Sequence, residues 1–473
     1  MANQGESIEM KYFLILAGAA VLVSGCGPDD NQLALATAPP VPVAITPSLS
    51  APAVASVPSS GLEGQFAGSQ TAVQSATTNP FANFDFKGGS AYPALANVRI
   101  GDVKVPVGAT EAHVPITLDR PTPNTVIVLV VTRNGSGAAA GVSGRHYTPV
   151  DTWLIFRPGD VLMRTVCVPL ANIDAGRNIG VYFADSVYGG INADGNGVVT
   201  AVVGAPRTTA VTTGFRSPRT FASSGTLAYQ LDPATVAWSD AGGTNVFTTR
   251  LPHGRTQIGN GETGLYLDPV LHRPSYPPFS IEKGEMVIRS QQLLSPILHD
   301  GCYWYHGAAM LTGQKMPATQ IRYGQYEWSA KMPNRRGAWP ALWLGATKGW
   351  PPEIDVYEGF GYNSWWNFGT HYAANIHGGS GGNRTFTALM QINIDSIYEI
   401  KGIDTGYHRF AVDIAPDYIT WFIDGREVYQ TVNAFKGTTW YPLMNVAVKH
   451  QGTYSGGFSE MRVRSFKVWN SPG

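Results

Sequence analysis

The sequence predicts an all-β chain organised as two β-sandwiches, a smaller one followed by a larger one. Three observations carry this. Of 473 residues, 54 are Gly and only 14% are charged, against ~25% charged in an average soluble domain, a profile of many turns and little solvated helix. Short apolar runs such as EAHVPITL, TVIVLVVTR and YITWFI repeat with strand-like period and are separated by Gly, Pro, Asn and Asp. Of the 12 Trp, only Trp153 precedes residue 214, so the two halves have different core or surface requirements. The length suits two or three domains at roughly 100–200 residues each. Equal numbers of basic and acidic residues, 33 of each, leave no electrostatic footprint for nucleic acid.

Residues 1–26 read as a leader. Lys11 precedes the apolar run Tyr12 to Val23, which ends in Ser24 and Gly25 just before Cys26. This is the charged, apolar, small order of a secretion signal, and the run is short for a membrane span. VSGC resembles the bacterial lipobox. That resemblance implies lipidation of Cys26, a lipid anchor in a membrane, and a bacterial cell envelope location, lipid-anchored or secreted. An ordinary signal peptide that happens to contain a cysteine is the alternative. Residues 27–90, rich in Pro, Ala, Ser and Thr without periodicity, read as an extended tether.

Residues 91–210 carry short β-branched runs broken by turns, as expected of a small seven-strand sandwich. GRHYTPVDTWLIFRPGDVLMRTVCVPL and the closing GNGVVTAVVG resemble the Calx-beta repeat, an Ig-like fold that often binds calcium through clustered carboxylates. Val107 and His146 stand where that family favours acids, and NIDAGRN offers only Asp174, so a spacer or adhesion role without calcium is expected. Three cysteines are too few for a disulfide scaffold. Cys167 and Cys302 fall in different sandwiches and are expected to be free thiols.

The chemistry concentrates in WPPEIDVYEGFG, residues 350–361. In a strand, Glu353 and Asp355 share a face, whereas Glu358, five residues on, faces the other way. One extra residue at Val356–Tyr357, a β-bulge, returns Glu358 to the shared face. The two glutamates are then four strand steps apart, ~13 Å between Cα atoms, and converging side chains bring their carboxyls to roughly 5–6 Å. Retaining glycosidases hold their two carboxyls at ~5–5.5 Å, inverting ones at ~6.5–9.5 Å. Three close carboxyls cannot all ionise easily, so one keeps a proton near neutral pH.

RYGQYEWSAKMPNRRGAWPALWLGATKGWPPEIDVYEGFG resembles glycoside hydrolase family 16 in its bulge-containing, laminarinase-like branch. The likeness extends over residues 214–473 through PFSIEKGEMVIRS, YHRFAVDIAPDYITWFIDGREVYQT, YPLMNVAV and SEMRVRSFKVWN. It implies a β-jelly-roll sandwich with an open sugar-binding cleft. By the same resemblance, Glu353 is the nucleophile, Glu358 the acid/base and Asp355 the residue that tunes the pair. Trp339, Trp343, His371, Asn260, Glu262 and Trp366 are then expected to bind substrate. No cofactor or metal is required for catalysis, and a structural calcium ion is left open. The implied partner is a polysaccharide, a β-1,3 or mixed β-1,3/1,4 glucan, acted on by a monomer. Agar, carrageenan or an exopolysaccharide as substrate, transglycosylation, and a non-catalytic adhesin are the alternatives.

Overall fold

The computed structural model describes residue 93 and residues 95–472 apart from 190–191, 212, 242, 381 and 450–456. The leader with Cys26 and the tether 27–90 lie outside the described residues. Among these, no helix is long and apolar enough to cross a membrane.

The first sandwich contains β1 (Asn97–Ile100), β2 (Val103–Pro106), β3 (Glu111–Leu118), β4 (Val126–Asn134), β5 (Asp151–Phe156), β6 (Met163–Pro169), β7 (Asn178–Tyr188), β8 (Asn192–Asp194) and β9 (Gly197–Val202). They form a four-stranded sheet, β6-β3-β1-β8, and a five-stranded sheet, β2-β9-β7-β4-β5. Strand β3 shows why. Its Ala112, Val114, Ile116 and Leu118 are buried, while Glu111 before them and Thr117 between the last two are exposed, the period-two pattern of a sheet with one face inward. Val128, Leu154, Phe156 and Val181 face them from the second sheet in a shared core.

The second sandwich holds β10 (Thr226–Gln230), β11 (Leu265–Tyr266), β12 (Phe279–Glu282), β13 (Glu285–His299), β14 (Cys302–Thr312), β15 (Gly324–Lys331), β16 (Ala338–Ala346) and β17 (Glu353–Glu358). It continues with β18 (His371–Ser380), β19 (Asn383–Asn393), β20 (His408–Ile414), β21 (Tyr418–Ile423), β22 (Arg426–Val432), β23 (Trp440–Val448) and β24 (Phe458–Asn470). The hydrogen-bonded order is β19-β18-β17-β16-β23-β14-β13-β24-β15-β20-β21-β22. The long β13 and β14 carry the ladder from one layer into the other, giving the jelly roll. Between the layers, Tyr326, Trp328, Trp421 and Phe466 pack with Leu342, Ile354, Val356, Tyr357, Tyr372 and Ile376. Trp328 and Phe466 stack at 4.9 Å and 17°. Strand β23, YPLMNVAV within Trp440–Val448, lies at the centre of the cleft layer between β16 and β14.

The two sandwiches touch along β22. Thr125 N donates to Gln430 O at 2.9 Å, and Gln430 N donates back to Thr125 Oγ1 at 3.0 Å. Thr431 Oγ1 donates to Asn124 Oδ1 at 2.6 Å. Open sheet edges invite unwanted pairing, and this contact covers the last strand of the order. Cys167 is free.

Candidate active site

The acids sit on β17, and its neighbours fix their directions. Glu353 lies opposite Gly345 on β16 and His377 on β18, whereas Glu358 lies opposite Ala341 and Ala373. Five residues along β17 therefore span four positions on each neighbour. The register slips between Asp355 and Glu358, a β-bulge that leaves both Val356 and Tyr357 in the interlayer core. With those two pointing inward, Glu353, Asp355 and Glu358 share the other face.

A bulge frees backbone carbonyls from the ladder, and a buried carbonyl needs a donor. Two core residues supply them. Trp421 on the opposite layer donates its indole N–H to Asp355 O at 2.7 Å, and the Tyr372 hydroxyl donates to Val356 O at 2.7 Å. The kink is thus held from beneath by the core. We expect Trp421→Phe to leave the Asp355 carbonyl unsatisfied and to destabilise by ~1–3 kcal/mol. The denaturation midpoint checks it, against Phe422→Leu as a control for lost aromatic volume in the same strand.

Asp355 is 2% exposed and Glu358 8%. Glu358 accepts from Trp339 Nε1 at 3.1 Å and from the Asn375 amide. Glu353 accepts from Trp350 Nε1 at 2.5 Å. His377 Nε2 lies 3.1 Å from Asp355 Oδ2 and 3.8 Å from Glu353 Oε1. Burial raises the pKa of all three acids, and repulsion within the triple raises them further, from Asp355 on Glu353 and from Glu358 on Asp355. Neighbouring His377 opposes the rise on both glutamates. The group therefore retains protons well above the ordinary carboxylate range, which suits acid and base work at neutral pH.

Trp339 and Trp343 are half-buried on the cleft face, packed against Tyr266, Met310, Tyr441 and Leu443. Trp343 Nε1 donates to Asn445 Oδ1 at 2.6 Å, which aligns its ring along the floor. Asn260 and Glu262 pair with each other, Asn260 Nδ2 donating to Glu262 Oε1 at 3.0 Å. Glu262 is buried, which pushes its carboxyl up to about 7. Lys449, paired opposite it, sets its ammonium 5.0 Å from the Trp339 ring centre and 4.2 Å from that of Tyr362. Lys449 thus links Glu262 to Trp339, which bonds Glu358.

Two of the expected residues lie apart from the acids. Trp366 is 1% exposed, buried with Phe360, Phe368 and Ala373, so its ring offers no face to a sugar. His371 lies at the start of β18 opposite Asn393, against the rings of Trp365 and Trp366 at 5.9 and 5.5 Å. Antiparallel register places His377, not His371, against the acids. Sequence reasoning missed His377, Asn375 and Lys449. The alternation of Tyr372, Ala374 and Ile376 with Ala373, Asn375 and His377 was the available signal for the first two.

Two groups among the described residues present three metal-ligating side chains within 4.8 Å: Glu353 with Asp355 and His377, and Glu111 with His113 and Cys167. The first is the acid cluster itself, in which Asp355 Oδ2 is buried without a hydrogen-bond partner among the described residues.

Residues 283–468 match the family model described as glycosyl hydrolases family 16. An endo-1,3-1,4-beta-glycanase, ExsH, of Rhizobium meliloti (strain 1021) is 29% identical over 224 residues, 46% of this chain and 45% of that one. A beta-glucanase of Rhodothermus marinus is 29% identical over 137 residues, 27% of this chain and 43% of that one. The chain thus spans less than half the length of these curated relatives. Among solved structures, the catalytic domain of an endo-1,3-beta-glucanase (laminarinase) from Thermotoga petrophila RKU-1 is 19% identical with a TM-score of 0.42, covering 53% of this chain and 100% of that one.

Proposed function

We propose, from the premise that residues 283–468 are a glycosyl hydrolases family 16 domain, that the protein is an endo-acting β-glucan hydrolase. It would cleave β-1,3 or mixed β-1,3/1,4 bonds with retention, by double displacement. The observation that carries this reading is the bulge, which gathers Glu353, Asp355 and Glu358 onto one buried face.

In the first step the Glu353 carboxylate attacks the anomeric carbon while Glu358 gives its proton to the departing glycosidic oxygen. In the second, Glu358 takes a proton from water, whose oxygen displaces Glu353 and releases the sugar. Asp355, between the two, shares a hydrogen bond with Glu353 and feels the charge of Glu358. Its charge and its hydrogen bond both favour the protonated form of Glu353, so Asp355 tunes the proton balance of the pair. Trp339 positions Glu358 through its indole N–H. Two carboxyls suffice for this bond cleavage, with no cofactor. The VSGC leader supports display of the enzyme, lipid-anchored or secreted, in a bacterial envelope.

Reducing-end release from laminarin, lichenan, agarose and carrageenan tests the substrate class. Turnover of laminarin or lichenan with products of intermediate length is expected. Activity confined to agarose or carrageenan would overturn the glucan assignment, and binding with no turnover of any would overturn the hydrolase.

A further inference from the structure

A pocket of about 440 Å³ opens beside the loop that follows β17, lined by Asn334, Arg336, Trp365, Trp366, Asn367 and Asp404 among others. None of the three acids reaches it. An aromatic layer intervenes, with ring contacts from Trp339 to Phe360 at 5.9 Å, Phe360 to Trp366 at 5.0 Å and Trp366 to Trp365 at 5.6 Å.

Its chemistry is that of sugar recognition. Trp365 is 52% exposed, although its neighbour is buried, so an indole face is held out to solvent. A sugar ring has an apolar C–H face that covers such a surface, and hydroxyls at its edge that need both donors and acceptors. Around the indole stand an amide, a carboxylate and a guanidinium. Asn334 Nδ2 donates to Asp404 Oδ2 at 3.1 Å, which fixes the two planar groups and leaves the Asn334 amide oxygen outside that bond. Arg336 donates from Nη1 to Asn363 O at 2.5 Å and from Nη2 to Ser364 O at 3.3 Å. That clamps the guanidinium to the loop bearing Trp365 while other N–H groups remain. Trp366, buried beneath, backs the pocket wall. The volume lies within the ~300–1,000 Å³ of small-molecule sites.

We propose that this pocket is a second glycan-binding site, separate from the cleft, which holds a polysaccharide by a sugar ring stacked on Trp365. The ligand class rests on the polysaccharide reading above, while the site itself does not depend on whether the acids are catalytic. Two attachment points on one polymer raise the effective concentration of the second once the first is engaged.

The test uses the full chain in affinity electrophoresis through gels containing laminarin or lichenan, with Glu353→Gln as parent so that the polymer survives the run. Adding Trp365→Ala is expected to weaken apparent affinity for the polymer by roughly tenfold or more, because one of two attachment points is lost. Asn334→Ala moves it the same way by less. In the otherwise unmodified protein, Trp365→Ala raises KM on the polymer, while turnover of an oligosaccharide too short to bridge both sites changes by less than about twofold. Retardation equal to the parent's for both variants would overturn the proposal. So would an equal loss on polymer and oligosaccharide, which would make the pocket part of the cleft. Failure of the hydrolase reading looks different: no reducing ends from the unmodified protein, yet retardation that Trp365→Ala removes, a result that supports the pocket.

Discussion

Glu358→Gln is expected to lower kcat/KM on laminarin by ~10²–10⁴-fold, the range a positioned proton donor supplies. Glu353→Gln should lower it at least as far, because the amide cannot form the bond to the anomeric carbon. The two losses separate with the leaving group. An aryl β-glucoside whose phenol departs without a proton spares Glu358→Gln in the first step but does not spare Glu353→Gln. Both amides keep the size of the side chain and can still accept from Trp339 or Trp350, so folding should be preserved. Steady-state kinetics on the two substrates checks this. Equal losses on both substrates for both variants would remove the distinction between nucleophile and acid.

The second large effect lies far from the cleft. Glu427 on β22 is 2% exposed and accepts from Arg216 Nη1 at 2.7 Å, Arg216 Nη2 at 2.5 Å and the Arg219 amide at 2.7 Å. Arg157 of the first sandwich, itself 5% exposed, brings Nε to 3.6 Å from the same carboxylate. Asp160 in turn accepts from the backbone amides of Arg157 and Arg216. One carboxylate therefore serves cations from the first sandwich and from the segment that joins it to the second. Glu427→Leu would leave a buried guanidinium without its counter-ion, and breaking a buried pair from one side costs ~3–5 kcal/mol. Replacing both partners by apolar groups is far milder by the same reasoning, so Glu427→Leu with Arg157→Met should recover part of the loss. Denaturant midpoints followed by tryptophan fluorescence measure it. A shift of less than ~1 kcal/mol equivalent, the size of an exposed surface pair, would contradict a buried role.

The all-β class and the kinked acid strand were legible because both follow from local period. Alternation forces Glu353 and Asp355 to one side, and an odd offset to Glu358 demands one extra residue. What escaped depended on pairing between distant segments. Both His371 and His377 lie on the strand beside the acids, at positions of the same parity, and only the register set by the intervening loop places His377 opposite Glu353. Trp365 and Trp366 are adjacent, so composition cannot decide which one is buried; the packing of Phe360 and Phe368 does. Trp421, which holds the bulge, comes from the other layer, 66 positions away from Asp355. The Arg216–Glu427 pair spans 211 positions. Such contacts carry no local periodic trace.

The most direct measurement of the central claim is the configuration of the newly formed reducing end, followed by proton NMR during the first minutes of glucan hydrolysis. The proposed double displacement has Glu353, four strand positions from Glu358, attack from the face that a water would occupy in an inverting enzyme. The β-anomer should therefore appear first and only later equilibrate with the α form. Initial release of the α-anomer would mean that water attacks directly, and the proposed role of the bulge in bringing nucleophile and acid together would be wrong.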